Sequence, residues 1–349
     1  MNFKKVIIYI FIISFYFPIY GQIGGNSTYD FLNLTNSARV AALGGDNISI
    51  QDSDLNFVYH NPALLNNSMS NNIVINYVNY FADINYGYAA YAKNLSKLGI
   101  FAAGIHYINY GKFIEADYTG NIIGEFKAYE LALNIFCSKP LLDSILTAGI
   151  NLKPIYSKLE KYSSFGLALD FGLSYNSNSK LFSAGLVIKN IGHQIKPYTQ
   201  GNYEPLPFDI QLGLTQKLSH APFRFSVLLH HLYIWDLTYN INANQAFSTA
   251  SNTTLEQTGT NFFDKVFRHS IFSLEFIPTK NFILMVGYNH QKRKEMLVLT
   301  KPFLVGYSWG LQIKISKFKI SYSQSILHLA GISNHISLNL NLNNFYRRF

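Results

Sequence analysis

The feature that most constrains this chain is an alternation. From Ile73 to Leu342 the sequence breaks into short segments in which apolar and polar residues take turns. No apolar run in that stretch reaches the ~18 residues that a membrane helix needs. Ile336, Leu338, Leu340 and Leu342 alternate with Ser337, Asn339 and Asn341, and Phe318, Ile320 and Tyr322 with Lys317, Lys319, Ser321 and Ser323. Phe208, Ile210, Leu212 and Leu214 stand against Asp209, Gln211 and Thr215; Phe272, Leu274 and Phe276 stand against Ser273 and Glu275. Successive side chains of a strand point to opposite faces, so each segment predicts a strand with one apolar and one polar face.

Alternation suits a β-sandwich in water and a β-barrel in a membrane equally well, and the connections separate the two. The pattern divides into about fourteen strands, an even number, with a ninth at 222–235. Every even-numbered strand before the last ends in a short turn: Asn94 to Lys97, Lys139 to Asp143, Asn176 to Ser179, Ser219 to Ala221, Pro278 to Lys280, and Ser316. Longer loops lie between them, around Tyr110 to Phe126, Ile191 to Leu206, Asp236 to Val266 and Gln291 to Pro302. Short turns on one rim and long loops on the other mark an outer-membrane barrel, with the long loops outside the cell. A sandwich gives no reason for that parity. Composition agrees, with 48% hydrophobic and only 13% charged residues against roughly a quarter charged in soluble domains. Tyr77, Tyr80, Phe81, Tyr107 and Tyr110 near strand ends fit interfacial aromatic girdles. Phe349 ends the chain as a terminal aromatic, similar to the insertion signal of bacterial outer-membrane proteins. The expected fold is all-β: a transmembrane antiparallel barrel of about fourteen strands over residues 73–349.

Two segments precede it. Lys4 and Lys5, the apolar stretch Val6 to Phe17, then Pro18 and Gly21 form a secretory signal over residues 1–22, too short for a stop-transfer helix. Residues 23–72 do not alternate cleanly. Ser37 to Leu43 predicts a short helix with Ser37 as its cap and Gly44-Gly45 as its end. Ile48 to Gln51 reads as strand, Asp52 to Asp54 as turn, and Asn61-Pro62 as the start of another short element. About fifty residues of punctuated chain ahead of a barrel predict a plug in the lumen or a cap on the periplasmic side.

Little in the chain points to chemistry. Gly306, Tyr307, Ser308, Trp309 and Gly310 match the nucleophile-elbow pattern, but they sit inside an alternating strand with no helix following, where an elbow cannot form. His106, Asp209, Glu275, His290 and Ser308 could be recruited across strands, yet no spacing among them favours a reaction over a polar lumen. His230 and His231 are adjacent, so on a strand they face opposite ways and cannot share a metal. The single cysteine, Cys137, is in phase with Leu131, Leu133 and Ile135 and is expected to face lipid. No catalytic residue, metal or cofactor is expected. The net charge of +9 is scattered through strands and turns, which fits lipopolysaccharide phosphates or the lumen and not nucleic acid. Lys292, Arg293 and Lys294, with Lys301, make the loop after the eleventh strand basic, either facing lipopolysaccharide or an acidic partner or merely solvated. Tyr118, Phe262 and Phe263 are the loop aromatics expected to anchor a partner, since aromatic residues dominate buried interface energy.

Several blocks resemble one family. Ser37-Ala38-Arg39-Val40-Ala41-Ala42-Leu43-Gly44-Gly45, followed by Tyr59-His60-Asn61-Pro62-Ala63-Leu64-Leu65, resembles the N-terminal region of FadL-like outer-membrane proteins. More specifically, the run Asn76 to Gly87 (NYVNYFADINYG) is similar to the PorQ family of the type IX secretion system. Tyr107 to Gly111, Leu186 to Gly192, Glu204 to Phe208 and His220 to Phe225 resemble it too. The resemblance implies a FadL-like barrel in the outer membrane of a Bacteroidetes-type bacterium. It further implies a non-enzymatic member of the attachment complex that trims type IX cargo and joins it to lipopolysaccharide. In such a complex the barrel would anchor a PorZ-like surface protein, while the PorU sortase, held by PorV, does the chemistry. The alternative implied by FadL-like proteins is transport of hydrophobic small molecules. That alternative predicts an apolar pocket beside residues 31–65, and Leu64 stands where FadL-type sequences often carry the glycine of Asn-Pro-Ala-Gly.

Overall fold

A computed structural model describes residues 27–81, 84–95, 99–142, 145–238, 262–296, 304–328 and 331–345. The proposed signal over 1–22, Lys301 and Phe349 lie outside the described residues. The strands are β1 (Asn72–Asn79), β2 (Asn85–Asn94), β3 (Ile100–Ala116), β4 (Ile122–Leu142), β5 (Leu146–Leu159), β6 (Tyr162–Asn176) and β7 (Phe182–Lys196). They continue with β8 (Asp209–Lys217), β9 (Phe223–Leu229), β10 (Ser270–Thr279), β11 (Phe282–Asn289), β12 (Tyr307–Ile315), β13 (Phe318–His328) and β14 (Gly331–Asn341). Each pairs antiparallel with its sequence neighbours, and β1 closes on β14 from Asn72↔Asn341 to Asn79↔Asn334, giving a closed fourteen-strand barrel. Among the described residues no helix is long and apolar enough to cross a membrane.

The two faces of the wall decide between barrel and sandwich. The polar member of each alternating pair is the buried one: Asn76, His106, Asn134, Asp170, Ser174 and Ser337 all point into the lumen. The apolar members face outward and are exposed, among them Ile75, Tyr77, Ile105, Leu133, Ile135, Phe171, Leu173 and Ile336. A water-soluble sandwich buries the opposite set, so this wall is built for a hydrocarbon surround. Tyr77, Phe81 and Tyr107 stay on the outer face, whereas Tyr80 and Tyr110 turn inward against an apolar cluster around Phe31.

Three departures from the sequence reading matter. The stretch Tyr110 to Phe126, expected as a loop, is mostly sheet: β3 runs to Ala116 and β4 starts at Ile122. Beyond a bilayer both faces of a ribbon are wet, so the ladder continues on backbone hydrogen bonds without the alternation that marks it elsewhere. β7 likewise extends to Lys196, into the expected loop after Ile191. The ninth strand stops at Leu229, and His231 adopts a left-handed conformation at φ 53°. The rings of His230 and His231 therefore meet, with Nδ1 atoms 2.5 Å apart, instead of pointing to opposite faces.

Residues 27–71 fill the lumen. They form α1 (Ala38–Ala42) and short 3-10 turns at Asp30–Asn33, Leu55–Tyr59, Pro62–Leu64 and Asn67–Met69. Asp54 and Asn61 cap their turns through side-chain oxygens that accept from the Asn56 and Ala63 N–H groups. Ser37 makes no side-chain cap on α1; the Ala38 N–H donates to Ser337 Oγ of β14 at 2.8 Å, so the wall caps the helix. Ile48 to Gln51, expected as strand, joins no sheet; Asn47 Oδ1 accepts from the Ser49 and Ile50 N–H groups and turns the chain locally.

Candidate functional site

The plug is held to the wall by buried charge. Arg39 on α1 sends Nη2 to Asp52 Oδ2 at 2.6 Å and to Glu275 Oε1 at 3.0 Å, and Nη1 to Asp54 Oδ2 at 3.1 Å. Its guanidinium lies 4.8 Å from the centre of the Phe57 ring. Glu275, on β10, is also paired with Arg224 of β9. Burial works against the Arg39 charge, and Asp52, Glu275 and Asp54 outweigh it, raising the group above its ordinary range. Burial likewise pushes the Asp52 carboxyl up, but Arg39 and Arg224 hold it well below the usual carboxylate range.

A second lock sits on the neighbouring strands β7 and β8. Asp46 receives Lys189 Nζ from β7 at 2.8 Å and Gln211 Nε2 from β8 at 2.9 Å, and lies 2.6 Å from His60 Nδ1. These partners hold its carboxyl well below the ordinary range against the opposing effect of burial. His60 is pushed down by burial, which the adjacent Asp46 only partly offsets. Hydroxyls complete the seam: Ser308 donates to the Ala42 carbonyl at 3.0 Å while accepting from the Gly44 N–H at 3.0 Å. Ser183 donates to Ser49 O and Ser138 to Leu65 O. Ser308, the centre of the elbow-like pentapeptide, is thus a fastener in the wall.

The wall also makes room. A Cβ at Gly149 would lie 2.3 Å from the Pro62 carbonyl carbon, one at Gly172 2.2 Å from Asn61 Oδ1, and one at Gly287 2.1 Å from the Gly44 nitrogen. These distances are shorter than any side chain tolerates, so at these three positions the plug lies so close to the wall that only glycine fits. The sequence reading missed these glycines. Their signal was present for two of them, as glycines in the polar phase of β5 and β6; Gly287 shares its phase with Ile283 and Met285 of β11.

The remaining candidates scatter. His106 Nδ1 of β3 meets the hydroxyl of plug residue Tyr59 at 2.9 Å, Asp209 accepts from the His231 N–H, and His290 Nε2 lies 3.2 Å from Asp264. With Glu275 and Ser308 already engaged, these five residues form no single constellation. Among the described residues, no group of three or more His, Cys, Asp or Glu side chains is arranged to hold a metal.

At the rim of long connections the expected anchor residues occupy separate places. Tyr118 is fully exposed (101%) in the turn joining β3 to β4. Phe262 and Phe263 are exposed on α2 (Phe262–Arg268), where Phe262 packs beside Trp235 with ring centres 5.7 Å apart. Strands β5 to β8 stand between these two places. The basic residues on α3 (His290–Met296) are engaged within the chain. Lys292 turns inward, so that a Cβ at Gly45 would lie 2.8 Å from its Nζ, and burial lowers its pKa against the pull of Asp46 and Glu295. Arg293 donates to Val305 O at 3.3 Å, and Lys294 pairs with Asp264 at 3.1 Å. A cleft of about 250 Å³ on this rim is lined by Leu159, Tyr162, Tyr198, Thr199, Asn202 and Glu204, none of them from the plug.

Fold and lumen together define the class: a closed fourteen-strand antiparallel β-barrel plugged by its own N-terminal segment. The Ralstonia pickettii toluene transporter TbuX matches at 10% identity with a TM-score of 0.53, over 89% of this chain and 99% of TbuX. The TodX monoaromatic hydrocarbon channel deltaS2 mutant matches at 12% identity and a TM-score of 0.47, over 88% of this chain and 97% of that one. A Pseudomonas aeruginosa FadL homologue matches at 9% identity and 0.46, over 88% and 98%. At these identities the likeness extends to the fold alone, and only that to TbuX is close enough to bear on it. No protein-family model matches the chain, and no curated protein matches it in sequence.

Proposed function

We propose that this chain is a closed, non-enzymatic outer-membrane barrel that works at the cell surface as a docking scaffold. On this reading the rim of long connections faces outward, above lipopolysaccharide, and carries a PorZ-like partner beside a PorU/PorV-like attachment complex, as the PorQ-family resemblance implies. Tyr118, Phe262 and Phe263 remain the proposed anchors, with Lys292, Arg293 and Lys294 bracing the rim. The observation that supports it is the charge-paired plug: Arg39 and Asp46 join the N-terminal segment to β7, β8 and β10. A passage for solutes through the plug itself would have to break those pairs.

The second reading is transport of hydrophobic small molecules, and the fold likeness to a toluene transporter favours it. The comparisons lend that alternative more support than they lend a role in secretion. Affinity capture of the tagged full-length protein from its own outer membrane in mild detergent separates the two. The scaffold reading expects a surface polypeptide held in stoichiometric amount together with sortase-complex components. Recovery of the barrel alone, with uptake of a hydrocarbon lost on its deletion, overturns the scaffold in favour of transport.

A further inference from the structure

The β3–β4 hairpin stands out from the barrel. β2 pairs with β3 only as far as Asn85↔Asn109, and β5 pairs with β4 only from Ala128↔Leu159. Beyond those points β3 and β4 continue as a two-stranded ribbon, from Lys112↔Lys127 to Ala116↔Ile122, and among the described residues they pair only with each other. Residues 110–116 at ~3.3 Å each extend it roughly 23 Å past the end of β2. Both outer edges therefore present unpaired backbone N–H and C=O groups. Phe113 and Phe126 stack at 5.1 Å on one side, and Ile114, Ile122, Ile123 and Tyr118 are exposed.

An isolated two-stranded ribbon is marginal in water, and a free edge is a template for another strand. Sheet edges are commonly blunted by lysine, proline or bulges; this ribbon carries Lys112 and Lys127 and shifts register at Asn109/Lys112 and Glu115/Ala116, yet Ile114, Ile122 and Ile123 stay exposed along it. Charge narrows the occupant. The ribbon carries three carboxylates, Glu115, Asp117 and Glu125, and two ammonium groups, Lys112 and Lys127, with Lys112 paired to Glu125 at 3.1 Å, in a chain of net charge +9. Asp117 stays ionised, held at about 2 by hydrogen bonds from Thr119 and Asn121. A net acidic ribbon disfavours lipopolysaccharide phosphates and suits a basic polypeptide.

We infer that the β3–β4 ribbon is a strand-addition site, where a free edge takes up an extended segment of a surface polypeptide carrying lysine or arginine between apolar residues. Main-chain hydrogen bonds to the edge supply affinity, while Ile114, Ile122 and Ile123 and the carboxylates select the segment. This inference rests on the scaffold reading and names the chemistry of its partner.

The test places a photo-crosslinking amino acid, one position at a time, at 112, 114, 123 and 125 of the full-length protein in its own outer membrane. Strand addition expects adducts to one polypeptide, with the mapped partner position stepping by two residues for every two-residue step along the ribbon. Adducts only to lipopolysaccharide, polypeptide adducts without that ladder, or no adducts overturn it. A companion variant replaces residues 112–126 with an Asn-Gly turn and is checked for insertion by heat-modifiable migration. Its retention of the partner is expected to fall at least tenfold. Full retention overturns the ribbon site and leaves the scaffold reading standing; failure of the unaltered protein to hold any surface polypeptide overturns both. If the shortened chain does not insert, the crosslinking ladder alone decides.

Discussion

The lumen and the β3–β4 ribbon are built from similar residues and treat them oppositely. In the lumen, Arg39 meets three carboxylates, and the plug's Val40, Leu43, Ile50, Phe57 and Leu64 pack with Ile283 and Met285 into one buried cluster. On the ribbon, Ile114, Ile122 and Ile123 are exposed, and the backbone edges lack a third strand. The difference separates stability from availability. The charge and packing that seal the barrel are used up inside it, so what is left to recognise something else lies where the wall outruns its neighbours.

Perturbing the lumen should therefore disturb the seal strongly, and perturbing the ribbon should not. The largest effect is expected from Arg39→Met, which leaves Asp52 and Glu275 to Arg224 and takes from Asp54 the cation it pairs with. Removing one partner from a buried ion network costs about 3–5 kcal/mol. In planar bilayers the unaltered protein should be electrically silent, whereas this variant should conduct as the plug leaves; silence in both would mean that the lock is dispensable. Gly287→Val follows, because its side chain would collide with the Gly44 backbone. Overpacking of this kind costs about 1–3 kcal/mol, so brief openings should appear in the same recording.

Acid should loosen the plug in two stages. His60 is held below its ordinary 6.5, so the docked plug binds fewer protons than the released one, and stability is lost as pH falls from 6.5 toward the docked value. Asp46 and Asp52 are held below 3.8, so their contribution is complete above that pH and is lost beneath it. Protease accessibility of residues 27–71 should be flat above pH 7, rise modestly below 6.5 and rise steeply below about 4. His60→Gln should reduce the first rise and keep the second. The smallest effect on the seal is expected from Ile114→Ser, within about ±0.5 kcal/mol as for other exposed positions. The same change should weaken partner retention severalfold, and a shift in the thermal unfolding of the barrel would contradict the division drawn between the two regions.

Much of the wall was legible because a half-wet strand writes its two faces into adjacent residues. Phe272, Ser273, Leu274 and Glu275 announce a strand without reference to anything distant, and parity of turn length orders fourteen such strands around a barrel. The reading failed where that local pressure lapses. Past Asn109 the ribbon lies outside the apolar band, so Lys112 and Glu115 broke a pattern that the hydrogen-bond ladder did not need. Ser37 was read as a helix cap from its own neighbourhood, but the cap is Ser337, nearly three hundred residues away.

The candidate site was less legible. Arg39 and Glu275 were visible only as a plug residue and a lumen-facing carboxylate, and 236 positions separate them. Nothing in either flanking sequence names the other. Gly149, Gly172 and Gly287 looked like ordinary strand glycines until the plug lay against them.

What the amino-acid sequence determined by itself is the alternating wall, its strand number and the polarity of its two faces, because each follows from contacts between residues and solvent. Only the tertiary structure decided which lumen groups meet, which wall glycines the plug backbone needs, and how far β3 and β4 rise beyond the rim. Those depend on register and closure, and closure brings together side chains whose only common property is distance from the barrel axis.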